Sequence, residues 1–321
     1  MKKILVPFYN FLDRQPRIER PKVIMTVLVR DEADIINQHL SYHINMGIDG
    51  FIVTDNRSRD GTREILEKHK KSGRILELID EPSEAFDQAA WVHRMIELAR
   101  DKYGADYCIN SDADEFWYTA SGSLSEELSK SRASKIRCPS YNMLPTSEGE
   151  FWTSTDCVKR ALPKNFRLNG YNLLFNKPTD KVIHRTQNYR MIKPGNHGVE
   201  MADRTSEKSR TIQIYHYSIR SKEQFIKKMQ QSGAALESNK NSTEKEGVHW
   251  RYFYRGHESG ILDLDQEFYK VIGIHQLPEL RRVGCVVTDP TMARFFNKMQ
   301  DPLPFVGEDS ADTDSQAAAG A

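Results

Sequence analysis

Cysteine is scarce. The four residues Cys108, Cys138, Cys157 and Cys285 form no CxxC pair, so free thiols in a reducing compartment are expected rather than a disulfide framework. Excess charge of one sign is also missing. Forty-six basic residues face 45 acidic ones, leaving a net charge of +1, which argues against a generic nucleic-acid binder. No apolar run approaches the roughly 20 residues that a spanning helix needs. The start, Met1-Lys2-Lys3-Ile4-Leu5-Val6, is interrupted by Pro7 and Asp13 and shows no small-residue cleavage site, so a secretory leader is not expected. No internal repeat is visible. With 28% charged and 10% aromatic residues over 321 positions, the expectation is a cytoplasmic globular enzyme, at most peripheral to the inner face of a membrane.

What is present centres on Tyr107-Cys108-Ile109-Asn110-Ser111-Asp112-Ala113-Asp114-Glu115-Phe116-Trp117. A short apolar run ends in three carboxylates, as a buried strand would deliver them to the ligand-binding edge of an open α/β sheet. Residues i and i+2 on extended backbone share a side, so Asp112 and Asp114 can aim at one point. Two anions side by side call for a positive charge between them, and a hard divalent cation meets that need. Asp and Ser also populate ordinary polar turns, so the pair alone is compatible with either reading.

Upstream, Val23–Val29 is a continuous, largely β-branched run suited to a strand buried on both faces. Arg30-Asp31-Glu32-Ala33-Asp34 follows and opens a helix over 35–46. A strand over 50–54 leads into the turn-forming stretch Asp55-Asn56-Arg57-Ser58-Arg59-Asp60-Gly61-Thr62. A helix over 63–72, a strand over 74–79 and a long helix over about 86–103 reach the acidic cluster. This alternation predicts an α/β fold with a mostly parallel central sheet flanked by helices. Beyond Trp117 the pattern is mixed: a short helix over 121–130, strands over 136–141, 166–168, 181–184 and 211–217, then a helix over 221–236 capped by Ser221 with Gln224 as box partner. Helices over 263–271 and 290–299 complete a C-terminal helical extension. The expected division is an arm (1–20), a catalytic domain (21–220, split at 117 into nucleotide-sugar and acceptor halves), the extension (221–306) and a disordered tail (307–321).

Together Arg30-Asp31-Glu32, the Asp55-x-x-Ser58-x-Asp60-Gly61-Thr62 block and Asp112-x-Asp114 resemble a family-2-type glycosyltransferase of the GT-A (nucleotide-diphospho-sugar transferase) fold, in order and spacing over residues 23–117. The ending Asp-Ala-Asp-Glu-Phe-Trp is similar to a bacterial subgroup with polysaccharide or lipopolysaccharide-related roles. The resemblance implies an inverting enzyme taking a UDP- or GDP-sugar with Mn²⁺ or Mg²⁺, and a glycan or lipid-linked acceptor. It implies metal contacts from Asp112 and Asp114, completed by His216 first or His197 second, each of which is equally explained as a structural histidine. It implies nucleoside contacts from Arg30, Glu32, Asp55 and Ser58, while Asp87 and Gln88 reach the sugar or base or simply cap a helix.

The acceptor base is expected among Glu148, Glu150 and Asp156, with Asp156 preferred and Glu115 the alternative. Lys181, Arg185, Arg190, Lys193 and Arg204 read as a solvated basic face, or else as contacts to diphosphate. Trp250, Tyr252, Phe253 and Tyr254 read as core or as packing over the helix at 221–236, or else as a carbohydrate platform or membrane-facing patch. Two rivals stand beside glycosyl transfer: a nucleotidyltransferase, disfavoured by the absence of a Gly-rich phosphate loop after the first strand, and a non-catalytic nucleotide- or glycan-binding module.

Overall fold

A computed structural model describes residues 15–83, 87–146, 149–177, 179–193, 198–239 and 242–299. The expected N-terminal arm through residue 14, the C-terminal tail, Glu148 and His197 lie outside the described residues.

The first half alternates strand and helix: β1 (Val23–Val29), α1 (Ile36–Asn45), β2 (Gly50–Asp55), α2 (Thr62–Lys71), β3 (Ile75–Asp80), α3 (Gln88–Asp101) and β4 (Tyr107–Ser111). β1 pairs in parallel with β2 and β4, and β2 with β3. As the unbroken apolar run requires, β1 is buried on both faces. Met25 and Val27 face a core with Tyr42, Phe51 and Trp117, and Ile24 faces a second core with Ile52, Val92 and Ile96.

After β4 the chain does not loop out. It turns at once into β5 (Glu115–Thr119), then α4 (Leu124–Ser129), β6 (Lys135–Asn142), β7 (Asp156–Val158), β8 (Asp180–Arg185), β9 (Tyr189–Ile192), β10 (Val199–Met201), β11 (Ser206–Lys208) and β12 (Ile212–His216). The helices α5 (Lys222–Ser238), α6 (Val248–Glu258), α7 (Leu264–Val271) and α8 (Leu277–Arg282) follow, then β13 (Val286–Thr288) and α9 (Thr291–Lys298). Among the described residues the main sheet runs β3-β2-β1-β4-β8-β6-β12-β5, with β11 added beside β6. β8 is antiparallel to both β4 and β6, and β12 is parallel to β6 but antiparallel to β5. The architecture is thus mixed α/β, parallel in its first half and mixed in its second.

One local expectation needs correction, and two further stretches gain a structure the sequence did not assign. Residues 166–168 form no strand, because Phe166 N–H bonds Pro163 O in a turn and the following Asn169 N–H goes to the Gln276 side chain. The aromatic run from His249 is helical, and Phe253 fills a third core with Phe175, Phe225 and Phe268. The aromatics after the acidic cluster are strand β5, not a loop closure. Phe116 is wholly buried among Tyr42, Phe151, Tyr217 and Phe296, so Phe116→Ala would cost about 3–5 kcal/mol. α9 returns to this first core through Met292 and Phe296, so the C-terminal extension is not a separate packing unit.

Candidate functional site

The carboxyl ends of β1, β2 and β4 meet at one edge, where the parallel half of the sheet ends. After β1, Asp31 adopts a left-handed backbone (φ 55), and opposite it Arg57 does the same (φ 63). The two loops interlock. Asp31 N–H donates to Ser58 Oγ at 3.0 Å, Arg59 N–H to Asp31 Oδ1 at 2.7 Å, and Glu32 N–H to Thr62 Oγ1 at 2.9 Å. Ser58 N–H bonds Asp55 Oδ1 at 3.1 Å, and Asp60 accepts from both the Thr62 hydroxyl and Ala33 N–H. Gly61 has φ 94, so the turn into α2 needs glycine there.

The acidic turn between β4 and β5 is held from two sides. Glu115 Oε2 accepts from Asp112 N–H at 3.3 Å, and Lys181 from β8 reaches both Asp112 Oδ2 and Glu115 Oε1 at 2.8 Å. Register brings the third component. His216, the last residue of β12, lies opposite Glu115 of β5 and beside Asn142 of β6. Its Nε2 is 3.3 Å from Asp114 Oδ1, and its Nδ1–H donates to Asn142 Oδ1 at 3.0 Å. Lys228 from α5 stands 3.3 Å from Asp114 Oδ2. Arg220, just before α5, bonds Glu32 and Asp34 at 2.6 Å each. Helix α5 begins where expected: Ser221 Oγ accepts from Gln224 N–H, while the Gln224 side chain accepts from Arg220 N–H, one residue earlier than a capping box predicts.

Protonation follows from this web. Burial would raise the Asp114 pKa, but His216, Lys228 and Arg220 hold it well below the carboxylate range. Burial would lower His216 and Lys181, yet the adjacent carboxylates raise both. Burial raises Glu115 against the opposing pull of Lys181, and raises Glu32 against that of Arg220.

A cleft of about 600 Å³ opens here. Arg30, Glu32, Gln88, Asp112, Asp114, Glu115 and His216 all line it, joined by Asn56, Asn142, Lys181, Lys228 and Trp250. Asp55 and Ser58 stand behind that wall as loop-shaping groups. Asp87 caps α3 by accepting from Ala90 N–H. The structure does not bring Asp156 to the cleft. Paired across β7 and β13, it is gripped through both carboxylate oxygens by Arg281, at 2.7 and 3.0 Å. The solvated-face reading fails for Lys181 and Arg185, which are 4% and 3% exposed; Arg185 spends its guanidinium on Tyr107 and the Pro16 carbonyl.

Could this edge hold a divalent ion? Among the described residues no three His, Cys, Asp or Glu side chains gather closely enough to hold one unaided. Asp112 Oδ2 is ion-paired with Lys181. The 3.3 Å between His216 Nε2 and Asp114 Oδ1 nevertheless suits two adjacent ligands of an octahedral ion, whose bonds of about 2.1 Å at right angles put donors roughly 3 Å apart. Asn142 fixes the tautomer that leaves Nε2 facing Asp114. The pair Asp114 and His216 therefore fits two ligands of a divalent cation.

The model of Glycosyltransferase family 92 matches residues 25–251, which span every group lining this edge. No curated protein matches the chain. Staphylococcus aureus TarS is similar at 13% identity and a TM-score of 0.34, over 71% of this chain and 41% of that one, so the chain spans well under half the length of TarS. A mannosyltransferase, PcManGT from Pyrobaculum calidifontis, solved with GDP-Man and Mn²⁺, is similar at 12% identity and a TM-score of 0.39, over 88% of this chain and 81% of that one. No helix among the described residues is long and apolar enough to cross a membrane.

Proposed function

The chain belongs to glycosyltransferase family 92, and we propose that its cleft transfers a sugar from a UDP- or GDP-sugar, with inversion, to a glycan or lipid-linked acceptor. The observation that carries this reading is the convergence of Asp114, His216, Lys181 and Lys228 on the cleft that Arg30 and Glu32 also line. Breaking the bond to the anomeric carbon leaves negative charge on a diphosphate, and preorganised cations in a partly buried cleft stabilise that charge most. Arg30, Lys181 and Lys228 are the side chains of this chain suited to it. Asp114 and His216 would hold Mn²⁺ or Mg²⁺, which when bound would neutralise the phosphate oxygens as a Lewis acid. In this reading Arg30 and Glu32, which line the cleft, contact the nucleoside, with Asp55 and Ser58 fixing the loop beneath them. Of the described carboxylates expected to deprotonate the acceptor, Glu115 lines the cleft and Glu150 and Asp156 do not, so Glu115 takes that role in this proposal.

The test is incubation with a panel of UDP- and GDP-sugars plus Mn²⁺, following nucleotide release. Metal-dependent hydrolysis or transfer is expected. Pyrophosphate exchange would point to nucleotidyl transfer, and binding without turnover to a non-catalytic module. Asp114→Ala should abolish metal-dependent turnover while the protein stays folded, and full activity in that variant would contradict the assignment.

A further inference from the structure

Sequence reading weighs the aromatic run after Gly247 mainly as core, and Phe253 fulfils that. Trp250 packs on the edge of that same core, and it and His249, both half-buried, also line the cleft that holds Asp114. Their placement is built in. Helix α6 starts from Gly247, whose left-handed backbone (φ 56) leaves the Trp250 ring where a side chain at 247 would sit, with Trp250 Cε3 only 2.7 Å from the position of an added Cβ. Across the interface, Gly233 of α5 lets α6 approach so closely that a Cβ there would come 2.9 Å from the Trp250 carbonyl, and closer still to Tyr254. The His249 and Trp250 rings pack against each other with centroids 4.6 Å apart. Burial and the nearby Lys228 lower the His249 pKa, favouring the neutral ring.

This wall lines the same cleft as the acidic turn and the loop after β1. Leu173, Ile219 and Met229 extend it, and Asn142 and Asn176 add amides at its edge. Their N–H groups are given to the Leu174 and Asn172 carbonyls, so the amides offer oxygen acceptors. A flat aromatic face beside such acceptors is suited to a pyranose, whose C–H face is apolar and whose rim carries hydroxyl donors. An acyl chain would find the amides costly to desolvate. We propose that the Trp250 indole, set by Gly233 and Gly247 and braced by His249, is the platform on which a sugar ring of the acceptor stacks, so that this enzyme selects acceptors presenting a pyranose at the cleft. The proposal rests on the glycosyl-transfer reading of the same cleft.

Saturation-transfer NMR on the full chain with Mn²⁺ and UDP or GDP tests it, with methyl β-glucoside, methyl β-galactoside, methyl α-mannoside and octyl β-glucoside as probes. Ring C–H protons of at least one glycoside should receive saturation. The signal should fall at least fivefold in Trp250→Leu and recover in part in Trp250→Phe, with nucleotide affinity changed less than twofold and the melting temperature close to that of the parent. Equal ring saturation in Trp250→Leu, saturation confined to the octyl chain, or nucleotide binding with no glycoside signal would each overturn the platform while leaving the functional reading standing. Failure of the parent protein to bind either nucleotide would overturn the functional reading and this proposal with it.

Discussion

Arg220 offers the sharpest stability test because its two partners differ in exposure. The Arg220 side chain is 4% exposed, Glu32 20% and Asp34 48%. The Asp34 contact, half in solvent, contributes at most about 1 kcal/mol. The Glu32 contact dominates, because Arg220→Met would leave a carboxylate only 20% exposed without its principal cation, a loss of about 3–4 kcal/mol. At roughly 2 °C per kcal/mol for a chain of this size, the melting temperature should fall by about 6–8 °C. Adding Glu32→Gln removes the stranded charge and should return about half of that loss. Differential scanning calorimetry on the parent, both single variants and the double variant reads this cycle. A fall of less than about 2 °C in Arg220→Met, or no recovery in the double variant, would refute the electrostatic account of this junction.

Other expectations follow from burial and packing. Burial holds His184 and His69 down at about 4, with Arg74 adding to the effect at His69. The unfolded chain therefore binds more protons than the native one between about pH 6.5 and 4, so the stability these groups confer is present above that window and lost as pH falls through it. Urea unfolding should show a loss of about 2 kcal/mol per histidine between pH 7 and 5. His184→Gln should flatten that slope, and an unchanged slope would refute the assignment. Gly233→Ala forces a methyl into the α5–α6 contact and should cost about 1–3 kcal/mol in denaturant melts, whereas a neutral result would mean the helices sit farther apart. Lys181→Met leaves Asp112 and Glu115 facing each other without the cation between them. Turnover with a sugar nucleotide should drop by about 100-fold or more at pH 7, and near-parent kcat would show that Lys181 only packs.

The parts of the molecule legible in sequence are those whose signals are local. β1 was readable because burial on both faces demands an unbroken apolar run, and the loop after β2 because Asp55, Ser58, Asp60 and Gly61 each carry turn chemistry. Asp114 and His216 were reachable through motif and strand-end logic, and the structure brings them within 3.3 Å. What failed depended on long-range pairing. Asp156 looked available beside Trp152, but its partner Arg281 lies 125 residues on, next to β13. Lys181 looked like one more surface lysine, since nothing local reveals that β8 is inserted between β4 and β6. Trp250 does pack on the core, as its neighbour Phe253 suggests, but nothing local shows that it also lines the cleft, which depends on the close approach at Gly233 and Gly247.

The central claim is that Asp114 and His216 join a divalent ion to a nucleotide at the sheet edge, and calorimetric titration of UDP and GDP tests it most directly. Mn²⁺ should tighten binding of one nucleotide at least tenfold over EDTA, and Asp114→Asn should erase that gain while leaving the metal-free affinity nearly unchanged. Equal affinity with Mn²⁺ and with EDTA in the parent protein would contradict it.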